Sequence, residues 1–220
     1  MGGVKSKFNT ILMGILLIFK RAALFSTLFL PLSLLMGQEE QKELEWDVLG
    51  ELSIAYGVPS SYGKNNFLAE GYDLRNATNI EANVLESPRW LIGGQWSFFK
   101  GDVIDISKVG GIDKSRVTHL YIAGSYSLLE SKKRMTLRTG LGIGYALYRH
   151  EKDTAKFRDD GFSILAKIDL GYRISNSFGV FLKLDHYLDF LSIDTAPEIE
   201  NSLKRTQTFV PFVGIRLYTF

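Results

Sequence analysis

The chain has 220 residues, of which 45% are hydrophobic and 13% aromatic, with 26 basic and 24 acidic residues and a formal charge of +2. Cysteine is absent, which excludes a disulfide framework, a thiolate metal site and a cysteine nucleophile. The mean hydropathy is near zero, a value shared by globular domains and membrane barrels, because a polar lumen offsets an apolar exterior.

Residues Met1–Gly37 combine a basic start, an apolar run Ile11–Phe19, the pair Lys20-Arg21 and a second apolar run Ala22–Met36 broken by Pro31. That layout predicts a secretory signal peptide over 1–37, cleaved after Gly37. The second run is 15 residues long, short of the roughly 20 that a membrane-spanning helix needs. Lys5, Lys7, Lys20 and Arg21 are the only charges of this leader, so its removal leaves 22 basic against 24 acidic residues, a net charge of −2. Nucleic-acid binding then loses its main electrostatic argument. A short polar segment, 38–45, follows as a periplasmic N-terminus, and 46–220 forms one domain.

That domain alternates with period two, the mark of two-faced strands. Trp46 to Val58 places Leu52, Ile54, Tyr56 and Val58 on one face, with Asp47, Glu51 and Ser53 opposite. The segment from Pro59 to Gly71 reads as a long loop. Tyr72 to Leu85 sets Leu74, Ile80, Ala82 and Val84 against Asp73, Arg75, Glu81 and Asn83, with Asn76 and Thr78 blurring the apolar face. After a tight Glu86-Ser87-Pro88 connection, Arg89–Phe99 aligns Trp90, Ile92, Trp96 and Phe98 opposite Gln95. Lys100–Ser115 is the second long loop. Arg116–Leu129 then shows Leu120, Ile122, Tyr126 and Leu128 opposite His119, Ser125 and Ser127.

A short charged turn, Glu130–Lys133, leads into Arg134–Tyr148, where Leu137, Leu141, Ile143 and Tyr145 face away from Arg138, Gly140, Gly142 and Gly144. Arg149–Asp160 is charged and reads as the third long loop. Gly161–Arg173 sets Phe162, Ile164, Ile168, Leu170 and Tyr172 against Lys167 and Asp169. Past the turn Ile174–Ser177, Phe178–Phe190 sets Val180, Leu182, Leu184 and Leu188 against Lys183, Asp185, Tyr187 and Asp189. Leu191–Gln207 is the fourth long loop, and Phe209–Phe220, FVPFVGIRLYTF, is the eighth strand.

Connections thus alternate long and short, and the strands exceed the usual 5–6 residues of soluble sheets, long enough for a tilted span of a bilayer. Aromatic residues gather near strand ends, among them Tyr56, Trp90, Phe98, Tyr126, Tyr145, Phe162, Tyr172 and Phe178, in the manner of two interfacial girdles. The fold class predicted is an all-β, eight-stranded antiparallel up-and-down transmembrane β-barrel. A soluble lipocalin-like barrel is the alternative, because alternation separates two faces without saying which one points inward. On the apolar faces this reading leaves His186 and Arg216 as the only ionisable residues.

From Trp46 to Phe220 the chain resembles the small eight-stranded outer-membrane β-barrel proteins of Gram-negative bacteria. Tyr218 and Phe220 resemble the aromatic pair that the outer-membrane assembly machinery recognises in such proteins. The resemblance implies residence in the cell outer membrane, folding by that machinery, contact with outer-membrane lipid and lipopolysaccharide, and a monomer. Some barrels of this size are lipid A hydrolases that carry a His-x-Ser arrangement on the outer wall. Here the run is His186-Tyr187-Leu188, and Ser192 lies six residues on.

In an eight-stranded barrel the interior is filled by side chains. The lumen-facing set comprises Glu51, Glu81, His119, Arg138, Lys167, Asp169, Lys183 and Asp185, in which acids and bases nearly balance. Buried charges need partners, so a network of mutual ion pairs is expected, with a narrow ion path as the functional alternative. GLGIG at 140–144 lacks the spacing and the following helix of a phosphate loop; its glycines make room for long neighbours such as Arg138. His119, His150 and His186 lie on separate elements without ligand-like spacing. No catalytic, cofactor or metal site is assigned. The function expected is structural or surface-interacting, through the long loops, with a lipid-modifying enzyme or a small-solute channel as alternatives.

Overall fold

Backbone polar groups inside a bilayer have no water to bond, and a closed ring of strands satisfies all of them. The computed structural model describes residues 50–63, 66–109, 111–129, 134–193 and 204–218 and closes such a ring. Its strands are β1 (Glu51–Gly57), β2 (Ser60–Ser61), β3 (Tyr72–Glu86), β4 (Trp90–Val103), β5 (Lys114–Ser127), β6 (Met135–Lys152), β7 (Ala155–Arg173), β8 (Phe178–Ser192) and β9 (Arg205–Tyr218). From β3 to β9 each strand pairs antiparallel with the next, and β1 pairs with both β3 and β9, which closes the barrel. The two residues of β2 pair with β9 just beyond β1, so they continue the same stave past Pro59 and the ring has eight staves. The signal peptide and the Glu130–Lys133 turn fall outside the described residues.

Polarity decides which face points inward. Ile122, Leu141 and Ile143 stand on the outer wall at 70%, 69% and 63% exposure, whereas Glu81, Lys183 and Asp185 are buried. A continuous apolar wall of this extent needs an apolar surrounding. The wall is bounded by aromatic side chains. Trp90, Tyr126 and Tyr172 stand toward the end with the short turns, and Trp96, Phe98, Tyr145, Phe162, Phe190 and Phe209 toward the other. Phe162 and Tyr172 are ten residues apart on β7. That is roughly 34 Å along the strand, and a tilt of about 40° projects it to roughly 26 Å, the height of a membrane barrel's apolar band.

Three features differ from the sequence reading. Arg149–Asp160 is not a loop: β6 and β7 continue as a paired hairpin to Lys152 and Ala155, and the chain reverses at Asp153-Thr154, with Asp153 at φ 50°. Opposite charges matched across strands, such as Glu151 with Lys156, let a polar ribbon stand without an apolar face. Leu74 is buried and does not share a face with Ile80, because a bulge between Arg75 and Thr78 inserts one residue, with Asn76 at φ 55°. Arg216 faces the lumen and is buried; Phe209, Pro211, Val213, Ile215 and Leu217 form the outer face. Both parities of β9 are largely apolar, so hydrophobicity alone misassigned its faces.

Two short helices lie at the end with the long connections. Helix α1 (Phe67–Gly71) is capped by Asn66, whose side chain accepts from Leu68 N, and it buries Phe67 and Leu68. Helix α2 (Ile106–Val109) lies between β4 and β5, and its Val109 packs against the buried apolar cluster. With Tyr72, Leu74, Phe99, Val117 and Leu191 these residues make an apolar layer across that end of the lumen.

Candidate functional site

Period-two alternation sends every second side chain of eight strands into one lumen, and all eight residues of the predicted polar set are buried there. With Arg216, seven of them form two neighbouring ion-pair groups, one around Glu51 and Asp169 and one around Glu81 and Asp185, and His119 belongs to a separate cluster. Arg138 donates both terminal nitrogens to Glu51, at 2.5 and 2.6 Å. Arg216 donates to both oxygens of Asp169, at 3.2 and 2.7 Å, and its Nε lies 3.4 Å from Glu51. Glu81 is shared by two lysines, Lys167 at 2.6 Å and Lys183 at 3.1 Å. Lys183 also donates to Asn79 at 2.6 Å and lies 3.5 Å from Asp185, which accepts from Gln95 at 2.7 Å and Tyr187 at 2.9 Å. Four carboxylates thereby meet four cations, Glu51, Glu81, Asp169 and Asp185 against Arg138, Lys167, Lys183 and Arg216. Each buried charge has at least one opposite neighbour, which is the condition for tolerating it in a low dielectric.

Beyond this charged layer lies a second one built on Asp189. It is fully buried and accepts from His119 Nε2 at 3.0 Å, Tyr148 at 2.6 Å, Thr206 at 3.1 Å and the Ser163 hydroxyl. His119 lies beside Tyr121 and Tyr187, at centroid distances of 5.7 and 4.5 Å, and the two tyrosine rings are 5.8 Å apart, so the three rings form a near-parallel triangle. Serine, histidine and aspartate thus meet in the lumen, but the aspartate is the centre, the serine donates to it, and no hydrogen bond joins Ser163 to His119. Nucleophilic catalysis needs the base on the hydroxyl, so this cluster is an ordered polar core.

The interior is consequently filled. Tyr121, Tyr148, Tyr187, Phe99 and Lys183 are among its largest fully buried side chains. In the charged layer a cavity of about 10 Å³, bordered by Glu81, Arg138, Lys167, Asp169, Lys183 and Arg216, has room for about one water. The glycines of 140–144 do relieve crowding, though for other neighbours than Arg138. A Cβ on Gly140 would stand 2.9 Å from Lys167 Cε, and one on Gly144 would stand 2.5 Å from Tyr121 and 2.1 Å from the Leu120 carbonyl.

On the outer wall His186 bonds the Tyr62 hydroxyl at 2.8 Å and stacks on its ring. Ser192 shares that face, but six residues of strand separate them by roughly 20 Å, far beyond hydrogen-bond reach. Among the described residues no group of three or more histidine and acidic side chains could hold a metal ion. Tyr218 is buried at the short-turn end of the lumen, beneath the Arg173 guanidinium at 3.9 Å, and Phe220 falls outside the described residues.

No protein-family model and no curated protein matches the sequence. Among solved structures, Neisserial surface protein A matches over 80% of this chain and 99% of its own, with a TM-score of 0.53 at 8% identity. The chain has the fold of the small eight-stranded outer-membrane β-barrels. The outer membrane protein OprG of Pseudomonas aeruginosa matches 78% of the chain and 97% of its own at 10% identity, TM-score 0.48. The N-terminal β-barrel domain of Pseudomonas aeruginosa OprF matches 79% and 100% at 8% identity, TM-score 0.47.

Within this outer-membrane-type barrel, sequence reasoning left Arg216, Asn79, Gln95 and the aromatic cage of His119 out of the lumen network. Tyr187 and Asp189 carried a usable signal, since both sit at the parity of Lys183 and Asp185 on β8, and Gln95 lies on the face of β4 opposite Trp90, Ile92, Trp96 and Phe98. Asn79 carried the same signal on β3, two residues before Glu81.

Proposed function

We propose that the protein resides in the bacterial outer membrane as a monomeric barrel with a structural or surface-interaction role. Its short turns face the periplasm and its long connections face outward. One observation supports this above others: the apolar side chains form the outer wall, while the four carboxylates and four cations of the charged layer are buried inside. A soluble barrel would need the reverse. Residues 1–37 direct export, and Tyr218 with Phe220 address the chain to the assembly machinery. The filled lumen and the apolar layer under α1 support a role without conduction, and the isolation of His186 from serine supports one without catalysis. Outer-membrane lipid and lipopolysaccharide surround the wall, and the hairpin and loops beyond it carry whatever contact the scaffold presents.

The test is cell fractionation combined with heat-modifiable gel mobility. The expected result is recovery in the outer-membrane fraction, with an unboiled band that migrates apart from the boiled one. Recovery in the soluble periplasmic fraction would overturn the proposal.

A further inference from the structure

Cross-strand register sets a row of cations on the outer wall. Arg75 stands opposite Lys100, Lys100 opposite Arg116, Arg116 opposite Arg149, and Arg149 opposite Arg158, on β3 to β7. All five are exposed. Neighbouring strands are about 4.8 Å apart, so the row repeats positive charge at about that interval, and like charges directly opposite one another destabilise a sheet.

The ends of the row are partly compensated. Arg75 pairs with Asp73 and lies 3.7 Å from Asp102, and Arg158 lies 3.9 Å from Asp160. In the middle, Arg116 and Arg149 have no ion-pair partner among the described residues. The next outward row on β4 to β7 reads Asp102, Lys114, Glu151, Lys156, each opposite the next and alternating in sign. The same sheet therefore pairs opposite charges one step away, and only the inner row is left all positive.

Its height is informative. Four residues toward the membrane along β4 to β7 stand Trp96, Leu120, Tyr145 and Phe162, again directly opposite one another. The cations lie roughly 14 Å along the strands beyond that girdle, about 10 Å higher at a tilt of about 40°, where lipid headgroups begin. A depression of about 390 Å³ opens there, bordered by Arg116, Arg149, Glu151, Lys156, Phe157 and Arg158. Arginine forks match phosphate oxygens two at a time.

We propose that the Lys100, Arg116, Arg149 and Arg158 row is a binding site for phosphate groups of outer-leaflet lipid, the lipid anion supplying the charge the sheet lacks. This rests on the outer-membrane reading above. The test refolds the wild type and the double variant Arg116→Gln/Arg149→Gln into phosphatidylcholine vesicles, with and without a minor fraction of lipid A, and follows melting by heat-modifiable mobility. Lipid A is expected to raise the wild-type midpoint by about 5 °C, and the double variant is expected to lose about half of that rise. In phosphatidylcholine alone the variant should melt no lower than the wild type, because two like charges have been removed from the row. Equal shifts in both proteins, or none in the wild type, would overturn the site while leaving the barrel intact. The same shift from soluble pyrophosphate in phosphatidylcholine vesicles would overturn lipid as the source. Failure of the wild type to insert into any vesicle would overturn both the site and the membrane reading.

Discussion

Glu81 is the carboxylate that two ammonium groups share, Lys167 at 2.6 Å and Lys183 at 3.1 Å, and all three side chains are buried. Glu81→Gln keeps the shape and removes the charge. One amide oxygen can still accept from one lysine, but the amide nitrogen is a donor facing a donor. The charged layer then holds four cations against its three remaining carboxylates, Glu51, Asp169 and Asp185. Removing one partner of a buried ion pair costs about 3–5 kcal/mol, because the other charge stays desolvated. For a domain of this length each kcal/mol moves the melting midpoint by about 2–4 °C, so a fall of about 6–20 °C is expected in vesicles, read by heat-modifiable mobility. Adding Lys167→Met restores neutrality, and Lys183 keeps Asn79 and Asp185. The double variant should recover most of the loss, and a double-mutant cycle measures the coupling. A single variant that melts with the wild type, or a double variant that falls as far as the two single losses added together, would refute the network.

Two further outcomes follow from the filled interior. Gly144→Ala would place a methyl 2.1 Å from the Leu120 carbonyl and 2.5 Å from the Tyr121 ring, and urea unfolding in vesicles should show a loss of about 1–3 kcal/mol. Planar bilayers holding the purified barrel should show no steady conductance above the bare membrane, and discrete open levels would contradict a lumen packed by Tyr121, Tyr148 and Tyr187.

Legibility in the sequence followed the clarity of the alternation. On β4 through β8 one parity is apolar and the other polar, so strands, faces and the lumen charges on them could be read directly. On β9 both parities carry apolar side chains, and Arg216 was placed on the wrong wall. On β3 the bulge at Asn76 shifts the phase by one residue, a local backbone event with no hydrophobic signature, so Leu74 was misplaced. The hairpin at 149–160 was hidden for the opposite reason. It stands beyond the apolar band, is held by ladder bonds and cross-strand charge, and has no hydrophobic alternation to announce it. The Asp189 cluster depends on residues far apart in sequence, His119, Tyr148, Ser163 and Thr206, which only the closed ring brings together.

The central claim is that the apolar face points into lipid and the charged face into the lumen. Because the chain has no cysteine, Ile122→Cys creates a single labelling site in the middle of the outer wall of β5. A nitroxide there, in barrels refolded into vesicles, is expected to collide far more with dissolved oxygen than with a water-soluble nickel chelate. Nickel collisions exceeding those of oxygen would put Ile122 in water and contradict the claim.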